Sequence, residues 1–302
     1  MINCDRKERG VIMRGKSVNL FFMDGDSTGR VKCTVPNWTG VVYRIPRTEL
    51  EKCRGRDDLM QSGVYFLFGA TEDTGELLVY VGQAGIRKNG EGILNRLQEH
   101  KRNADKDYWT EAVVFTTSNN SFGPTEVSYL EHRFCALALE AKRYIVKNGN
   151  DPNIGNVTEE KESELEEFID YARLVMGALG HRIFEPLTAK PADPHAPSAS
   201  NSSLVLELKQ GAIDAKGQRT SDGFVVLMGS KIKLELAPTL REAVRRQRER
   251  YASKLDAEGV LLEDILLRSP NEAANFVTGY PVNALVRWKT AEGKTLKELE
   301  AE

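Results

Sequence analysis

Five side chains that can take part in catalysis lie between positions 65 and 131 of this 302-residue chain: Tyr65, Tyr80, Arg96, His100 and Glu131. A phenol or an imidazole can transfer protons, a guanidinium binds anions, and a carboxylate can bind a metal ion. Each residue alone has an ordinary structural interpretation. A strand tyrosine usually packs across the sheet, and Arg, His or Glu on a helix usually faces solvent. The elements that carry these residues therefore decide whether they form a site.

The two tyrosines belong to the segment "GVYFLFGATEDTGELLVYVGQAG", residues 63–85. Its valines and phenylalanines alternate with other residues on both sides of a polar turn, which predicts two antiparallel strands. Successive strand side chains point to opposite faces of a sheet. Tyr65 and Tyr80 should therefore both project from the face opposite to the neighbouring valines and phenylalanines.

A helix is predicted at about 92–103, in "GILNRLQEHKRN". Ile93, Leu94 and Leu97 form its apolar stripe, and Arg96 and His100, four residues apart, lie together on a flank of that stripe. A strand, "EAVVFTT", follows.

A long helix is predicted from about 124 to 147, with Pro124 in its first turn and Glu131 at the edge of its apolar stripe. Glu126 competes with Glu131 as a functional carboxylate, but its place in the first turn already explains it. A further helix, beginning with "EEKESELEEF", is acidic at its start. Two tyrosines, an arginine, a histidine and one carboxylate could thus converge.

These motifs and their order resemble the GIY-YIG nuclease family. "GVY" and "YVG" are similar to the paired motifs that name the family, "ILNRLQEH" to the helix with its catalytic arginine, and "YLEHRF" to the helix with its metal-binding glutamate. The resemblance covers about residues 62–150. It implies a small antiparallel sheet flanked by helices, and a metal-dependent endonuclease that hydrolyses phosphodiester bonds in nucleic acid, with DNA as the expected substrate.

The resemblance also implies a role for each residue. Glu131 would hold a single Mg²⁺ or Mn²⁺ ion, and Arg96 would hold the scissile phosphate. Tyr80 would position or deprotonate the attacking water, with support from Tyr65. His100 is the alternative base, and its ordinary pKa near 6.5 suits that role better on chemical grounds.

Two positions depart from the family pattern. Gln83 stands where many relatives have a basic residue, so one phosphate contact should be weaker. The asparagine that closes the family's core could be Asn148 or Asn150, and we favour Asn150 as the catalytic one. The candidate nucleic-acid contacts are Gln83, Arg87, Lys101, Asn148, Arg245 and Arg246. The two arginines belong to a basic run that Glu242 and Glu249 interrupt, so a solvated helix face is an equal interpretation.

The chain organisation predicts an α+β protein. We expect a β-rich N-terminal segment at 1–60, a nuclease domain with a helical extension at 61–185, a Pro- and Ser-rich linker at 186–203, and a small α+β accessory domain at 204–302. The last segment, with "GQRTSDGFVVLMGS" and "WKTAEGKTL", resembles a domain of unknown function often fused to bacterial GIY-YIG domains.

Net charge, cysteine content and hydropathy limit the classes of function that this chain can have. A net charge of −2 argues against indiscriminate coating of nucleic acid, and four scattered cysteines give neither a zinc ribbon nor a disulfide framework. With no signal peptide or membrane span in the sequence, a cytoplasmic location is expected. The alternative to an endonuclease is a non-catalytic nucleic-acid-binding or assembly module on the same fold. The oligomeric state stays open.

Overall fold

The computed structural model describes residues 15–73, 75–85, 92–149, 156–188 and 204–301. The chain divides into two compact units, Met1–Glu185 and Pro186–Glu302, here called the N-terminal unit and the C-terminal unit. Both units combine helices with a sheet, which confirms the α+β class. The predicted linker falls largely on residues 189–203, outside the described residues. Within the described ranges, no helix is long and apolar enough to cross a membrane.

The N-terminal unit contains a sheet in the order β1-β2-β3-β6-β4-β5-β7. The strands are β1 Asn19–Phe22, β2 Val31–Thr34, β3 Gly40–Pro46, β4 Gly63–Ala70, β5 Leu77–Ala84, β6 Trp109–Thr117 and β7 Ile145–Val146. The α-helices are α1 Ile93–Arg102, α2 Pro124–Ala141 and α3 Glu159–Ala178, and 3₁₀ turns span Arg47–Cys53, Asp57–Leu59 and Ala104–Lys106. Neighbouring strands are antiparallel except β5 and β7, which are parallel.

The predicted hairpin is confirmed, and both of its faces are buried. On one face Phe66 and Val81 join a core with residues of α2 and α3. On the other face Tyr65 packs with Leu94 and Leu97 of α1. The sheet therefore separates α1 from α2 and α3, and the tyrosine face is the one that α1 covers.

The segment expected to stand apart as an N-terminal β-rich region contributes β1, β2 and β3 to this same sheet. β3 pairs with β6 along its whole length, from Gly40 opposite Thr117 to Pro46 opposite Glu111. The sheet is consequently larger than the resemblance implied, because long-range pairing extends it beyond the hairpin and β6.

The predicted helix from 124 to 147 is too long. It begins at Pro124 as expected, where the Glu126 carboxylate accepts a hydrogen bond from the Gly123 backbone N–H at 3.1 Å. It ends at Ala141, since Lys142 has the left-handed backbone conformation with φ of 53°. The chain then turns into β7, which pairs with Leu78 and Val79 of β5.

The C-terminal unit contains a sheet in the order β11-β10-β9-β8, whose core includes Phe224, Phe276 and Trp288. Its strands are β8 Val205–Gln210, β9 Ile213–Thr220, β10 Gly223–Val226 and β11 Ile265–Leu267, and its helices are α4 Glu242–Arg250, α5 Pro270–Thr278, α6 Ala284–Arg287 and α7 Leu296–Glu300. The basic helix α4 is shorter than the predicted "LREAVRRQRERYASKL". A 3₁₀ turn follows it, and an extended Leu255 forms a bridge to Leu261.

Each unit has its own hydrophobic core, so we expect residues 1–185 and 186–302 to fold when expressed separately. Circular dichroism during urea unfolding should show one cooperative transition for each fragment. A fragment that lacks a cooperative transition would show that its core depends on the other unit.

Candidate active site

Close contacts that leave no room for a Cβ atom explain the glycines of the two hairpin motifs. Tyr65 lies opposite Gly82 in the β4–β5 register. A Cβ atom on residue 82 would lie 2.4 Å from the Tyr65 Oη atom and 2.8 Å from the Tyr80 ring. At Gly63 a Cβ atom would lie 2.2 Å from the Phe115 carbonyl oxygen. Only glycine lets the Tyr65 ring lie this close to β5.

The Tyr65 hydroxyl is joined to α1 through His100. The Tyr65 Oη and His100 Nε2 atoms are 2.6 Å apart, and both side chains are buried. Burial lowers the pKa of His100 to about 3, and the positive charges of Lys106 and Arg96 act in the same direction. Burial likewise raises the pKa of the Tyr65 phenol. Both groups are therefore neutral at neutral pH, and His100 Nε2 is engaged with Tyr65.

Tyr80 is half-buried beside this pair. Its ring is in edge contact with His100, with 5.4 Å between ring centroids, and 6.3 Å from the Tyr65 ring. Burial raises the pKa of the Tyr80 phenol, the negative charge of Glu131 adds to this, and Arg96 opposes it. The hydroxyl of Tyr80 thus lies in the field of both the carboxylate and the guanidinium.

The positive charge of Arg96 acts on the other four side chains of this group. Its Nη1 atom donates to Glu99 Oε2 at 2.7 Å, one helical turn along α1. Burial disfavours its charge, but hydrogen bonds to Glu99 and Tyr65 raise its pKa, so it stays a cation. Its field acts on both tyrosines, His100 and Glu131. The five side chains predicted from the sequence are therefore brought together.

Glu131 is a half-buried carboxylate that accepts hydrogen bonds from the side chain and the backbone N–H of Gln83. Burial raises its pKa, while Gln83 and the charge of Arg96 oppose the rise. Within the described residues, no lysine or arginine lies within ion-pair distance of Glu131. Gln83 thus orients the carboxylate, and its predicted contact with nucleic acid stays a prediction.

These donors fit a hard divalent cation. A half-buried carboxylate without an ion-pair partner gains from a positive ion. Mg²⁺ is commonly held by one or two carboxylates, while waters and phosphate fill its other positions. The described residues contain no cluster of three or more His, Cys, Asp or Glu side chains that could hold a metal ion. A site with one or two protein ligands, such as the Glu131 carboxylate, is compatible with these residues.

Asn148 has a structural contact. Its Oδ1 atom accepts from the Val81 N–H at 3.0 Å, and its Nδ2 atom donates to the Val81 carbonyl at 2.7 Å. The amide therefore continues the β5–β7 pairing as a backbone would. Lys101 is half-exposed on α1, and Asn150 and Arg87 lie outside the described residues.

The basic run of the C-terminal unit is partly structural. Arg245 donates to the carbonyls of Ala237 and Leu240, and the buried Arg248 donates to those of Lys233 and Phe276. Arg246 is 76% exposed and lies 3.6 Å from Glu242. Arg245 thus holds the start of α4, which leaves Arg246 as the more accessible of the two candidate contacts.

One residue near the site was not predicted. The Lys106 Nζ atom lies 3.4 Å from the centroid of the Tyr80 ring. Burial lowers the pKa of Lys106 to about 8, with a contribution from the charge of Arg96. Lys106 lies in a short turn, where no hydrophobic period shows the direction of a side chain. The sequence could have indicated Lys106 only through its position six residues after His100.

Comparison with known proteins assigns part of the chain. Residues 206–300 match the domain of unknown function DUF4357, which covers most of the C-terminal unit. No GIY-YIG family match was found for the N-terminal unit. No curated protein and no solved structure matches the chain. The likeness of the C-terminal unit to a domain of unknown function is thus supported. A function for the N-terminal unit has to be argued from its geometry.

Gly82→Ala should destabilise the N-terminal unit by about 1–3 kcal/mol, because the added methyl group displaces the Tyr65 ring and its bond to His100. Urea unfolding measures the difference. The matched control is Gly85→Ala, where a Cβ atom meets nothing within 4 Å. Equal stability of the two variants would show that the Tyr65–Gly82 contact does not constrain the site.

His100 should make the N-terminal unit less stable as the pH falls. Its pKa is about 3 in the folded chain and close to 6.5 when unfolded, so between these values only the unfolded chain takes up the proton. A difference of one proton changes the free energy of unfolding by about 1.4 kcal/mol per pH unit. Between about pH 7 and about pH 5, the wild type should therefore lose about 1–2 kcal/mol more than a His100→Gln variant.

The measurement is urea unfolding of both proteins at the two pH values. Glutamine keeps a hydrogen-bonding group at position 100 but cannot titrate. The same pH dependence in both proteins would contradict a neutral, buried His100.

Proposed function

We propose that the N-terminal unit is a metal-dependent endonuclease of the GIY-YIG type that hydrolyses phosphodiester bonds in nucleic acid, with DNA as the expected substrate. The observation that carries this proposal is the convergence of Tyr65, Tyr80, His100 and Glu131 around the charge of Arg96. Packing alone does not require one cation, three hydrogen-bonding rings and a carboxylate that has no ion-pair partner among the described residues in the same place.

Arg96 holds the scissile phosphate in this proposal. It is fixed by Glu99 and by the Tyr65 hydroxyl, so its position is set before substrate binds. A fixed guanidinium offers paired donors that match the geometry of a phosphate. It also neutralises negative charge that develops on the phosphorus oxygens as the bond breaks.

Glu131 would hold the divalent ion, and Gln83 would keep the carboxylate of Glu131 in position. When bound, Mg²⁺ would stabilise negative charge on the phosphoryl group and the leaving oxygen. The raised pKa of Glu131 falls on ion binding, so metal affinity should decrease as the pH falls into the range in which the carboxylate takes up a proton.

Tyr80 is the group that positions the attacking water. His100 is a poor general base here, because its Nε2 atom is engaged with Tyr65 and its pKa is about 3. We therefore assign His100 to the support of Tyr65. The Tyr80 phenol is protonated at neutral pH, since burial raises its pKa, and a positive charge next to Glu131 would favour its ionisation.

A non-catalytic nucleic-acid-binding module is the second candidate. The observation that favours it is the pair of hydrogen bonds from Gln83 to Glu131, which satisfies the carboxylate without any metal ion. Such a module would bind nucleic acid through Arg96 and leave the strand intact.

A cleavage assay with the full chain separates the two functions. Labelled duplex, branched and single-stranded DNA and RNA are incubated with Mg²⁺, Mn²⁺ or EDTA. We expect metal-dependent cleavage, and Glu131→Gln should reduce its rate about a hundredfold or more because the amide lacks the charge that holds the ion. Binding without cleavage of any substrate would favour the non-catalytic module.

Glu140→Gln is the matched control, since Glu140 lies exposed on the same helix, and it should cleave like the wild type. Tyr80→Phe should lose most activity in the same assay, whereas His100→Gln should retain more. Full activity of Tyr80→Phe beside an inactive His100→Gln would reverse the roles of these two residues.

A further inference from the structure

The turn after α1 brings a lysine back over the candidate site. Asn103 caps this turn, where its Oδ1 atom accepts from the Asp105 N–H at 3.0 Å and its carbonyl accepts from the Lys106 N–H at 3.1 Å. The turn therefore directs Lys106 towards Tyr80, and the ammonium lies 3.4 Å from the ring centroid. A cation over an aromatic face is attracted by the electron density of the ring, which holds both side chains in place.

Unlike Arg96, Lys106 has no anionic partner among the residues that the structure describes. Arg96 forms an ion pair with Glu99 at 2.7 Å. No carboxylate in the described ranges lies within ion-pair distance of the Lys106 ammonium, although the side chain is half-buried. Arg96 and Lys106 are also close enough for repulsion between them to lower the pKa of Lys106. A bound anion would relieve this repulsion.

We propose that Lys106 is a phosphate-binding residue of the site and acts with Arg96 as a pair of cations on the same phosphodiester. The ammonium would donate to a non-bridging phosphate oxygen while it stays over the face of the Tyr80 ring. This assignment rests on the proposed nuclease function for its substrate. The anion site itself rests only on the two cations and the aromatic ring.

The site should bind anions less well at high pH. Lys106 loses its proton near pH 8 in the free protein, and a bound phosphate raises that pKa towards the ordinary lysine value. By linkage, phosphate affinity falls as the pH rises through about 8. Arg96 keeps its charge throughout this range, so the loss of affinity reports on Lys106.

A direct test needs no cleavage. The lysines of the full chain are methylated with ¹³C-formaldehyde, and the Lys106 signal is assigned by its absence in Lys106→Arg. Its pKa is then measured by NMR with and without inorganic phosphate. We expect a low pKa that phosphate raises. A Lys106 signal that phosphate does not move, or a pKa at the ordinary lysine value, would overturn the proposal.

The second test uses the cleavage assay. Lys106→Met keeps the apolar stem but removes the charge, and we expect kcat/KM to fall about tenfold to hundredfold, with the pH dependence near 8 removed. Lys106→Arg should restore most of the activity. Lys161→Met is the control, because Lys161 is paired with Glu164 on α3. Activity of Lys106→Met equal to that of the wild type would also overturn the proposal.

The two tests separate two kinds of failure. If phosphate raises the Lys106 pKa but no nucleic acid is cleaved, the anion site stands and the nuclease function fails. If cleavage occurs and neither test responds to Lys106, the nuclease function stands and the role of Lys106 is wrong.

Discussion

The contact between the Tyr65 ring and the backbone of Gly82 constrains the rest of the candidate site. It brings β4 and β5 into a register in which Tyr65 and Tyr80 share one face. It also directs the Tyr65 hydroxyl to His100, which ties the hairpin to α1. Since Arg96 lies one turn before His100 on that helix, the same contact sets the distance between the Arg96 guanidinium and the hairpin.

The carboxylate reaches the site from the opposite face of the sheet. Gln83 shares the face of Val79 and Val81, on which α2 packs, and Glu131 meets Gln83 there. β7 pairs only with Leu78 and Val79, and the Asn148 amide continues this pairing at Val81. The edge of β5 after Val81, where Gln83 lies, is therefore accessible to the Glu131 side chain. The early end of α2 at Ala141 follows from the same arrangement, because the chain must turn back to form β7.

Local patterning predicted much of this arrangement. The two-residue period of the hairpin placed the tyrosines on one face, and the four-residue spacing placed Arg96 beside His100. Features that depend on distant contacts were not predictable. The end of α2 depends on the left-handed Lys142, and the union of β1, β2 and β3 with the hairpin sheet depends on pairing with β6. The contacts of Gln83 with Glu131 and of Lys106 with Tyr80 likewise depend on residues that are distant in sequence.

The most direct measurement of the central claim is the position of a metal ion. Crystals of the full chain with a short oligonucleotide and Mn²⁺ can be examined by anomalous diffraction, which identifies manganese independently of the surrounding atoms. One Mn²⁺ should lie within coordination distance of the Glu131 carboxylate and of a phosphate that Arg96 contacts. An oligonucleotide bound at Arg96 with no manganese at Glu131, or manganese bound elsewhere in the chain, would contradict the account.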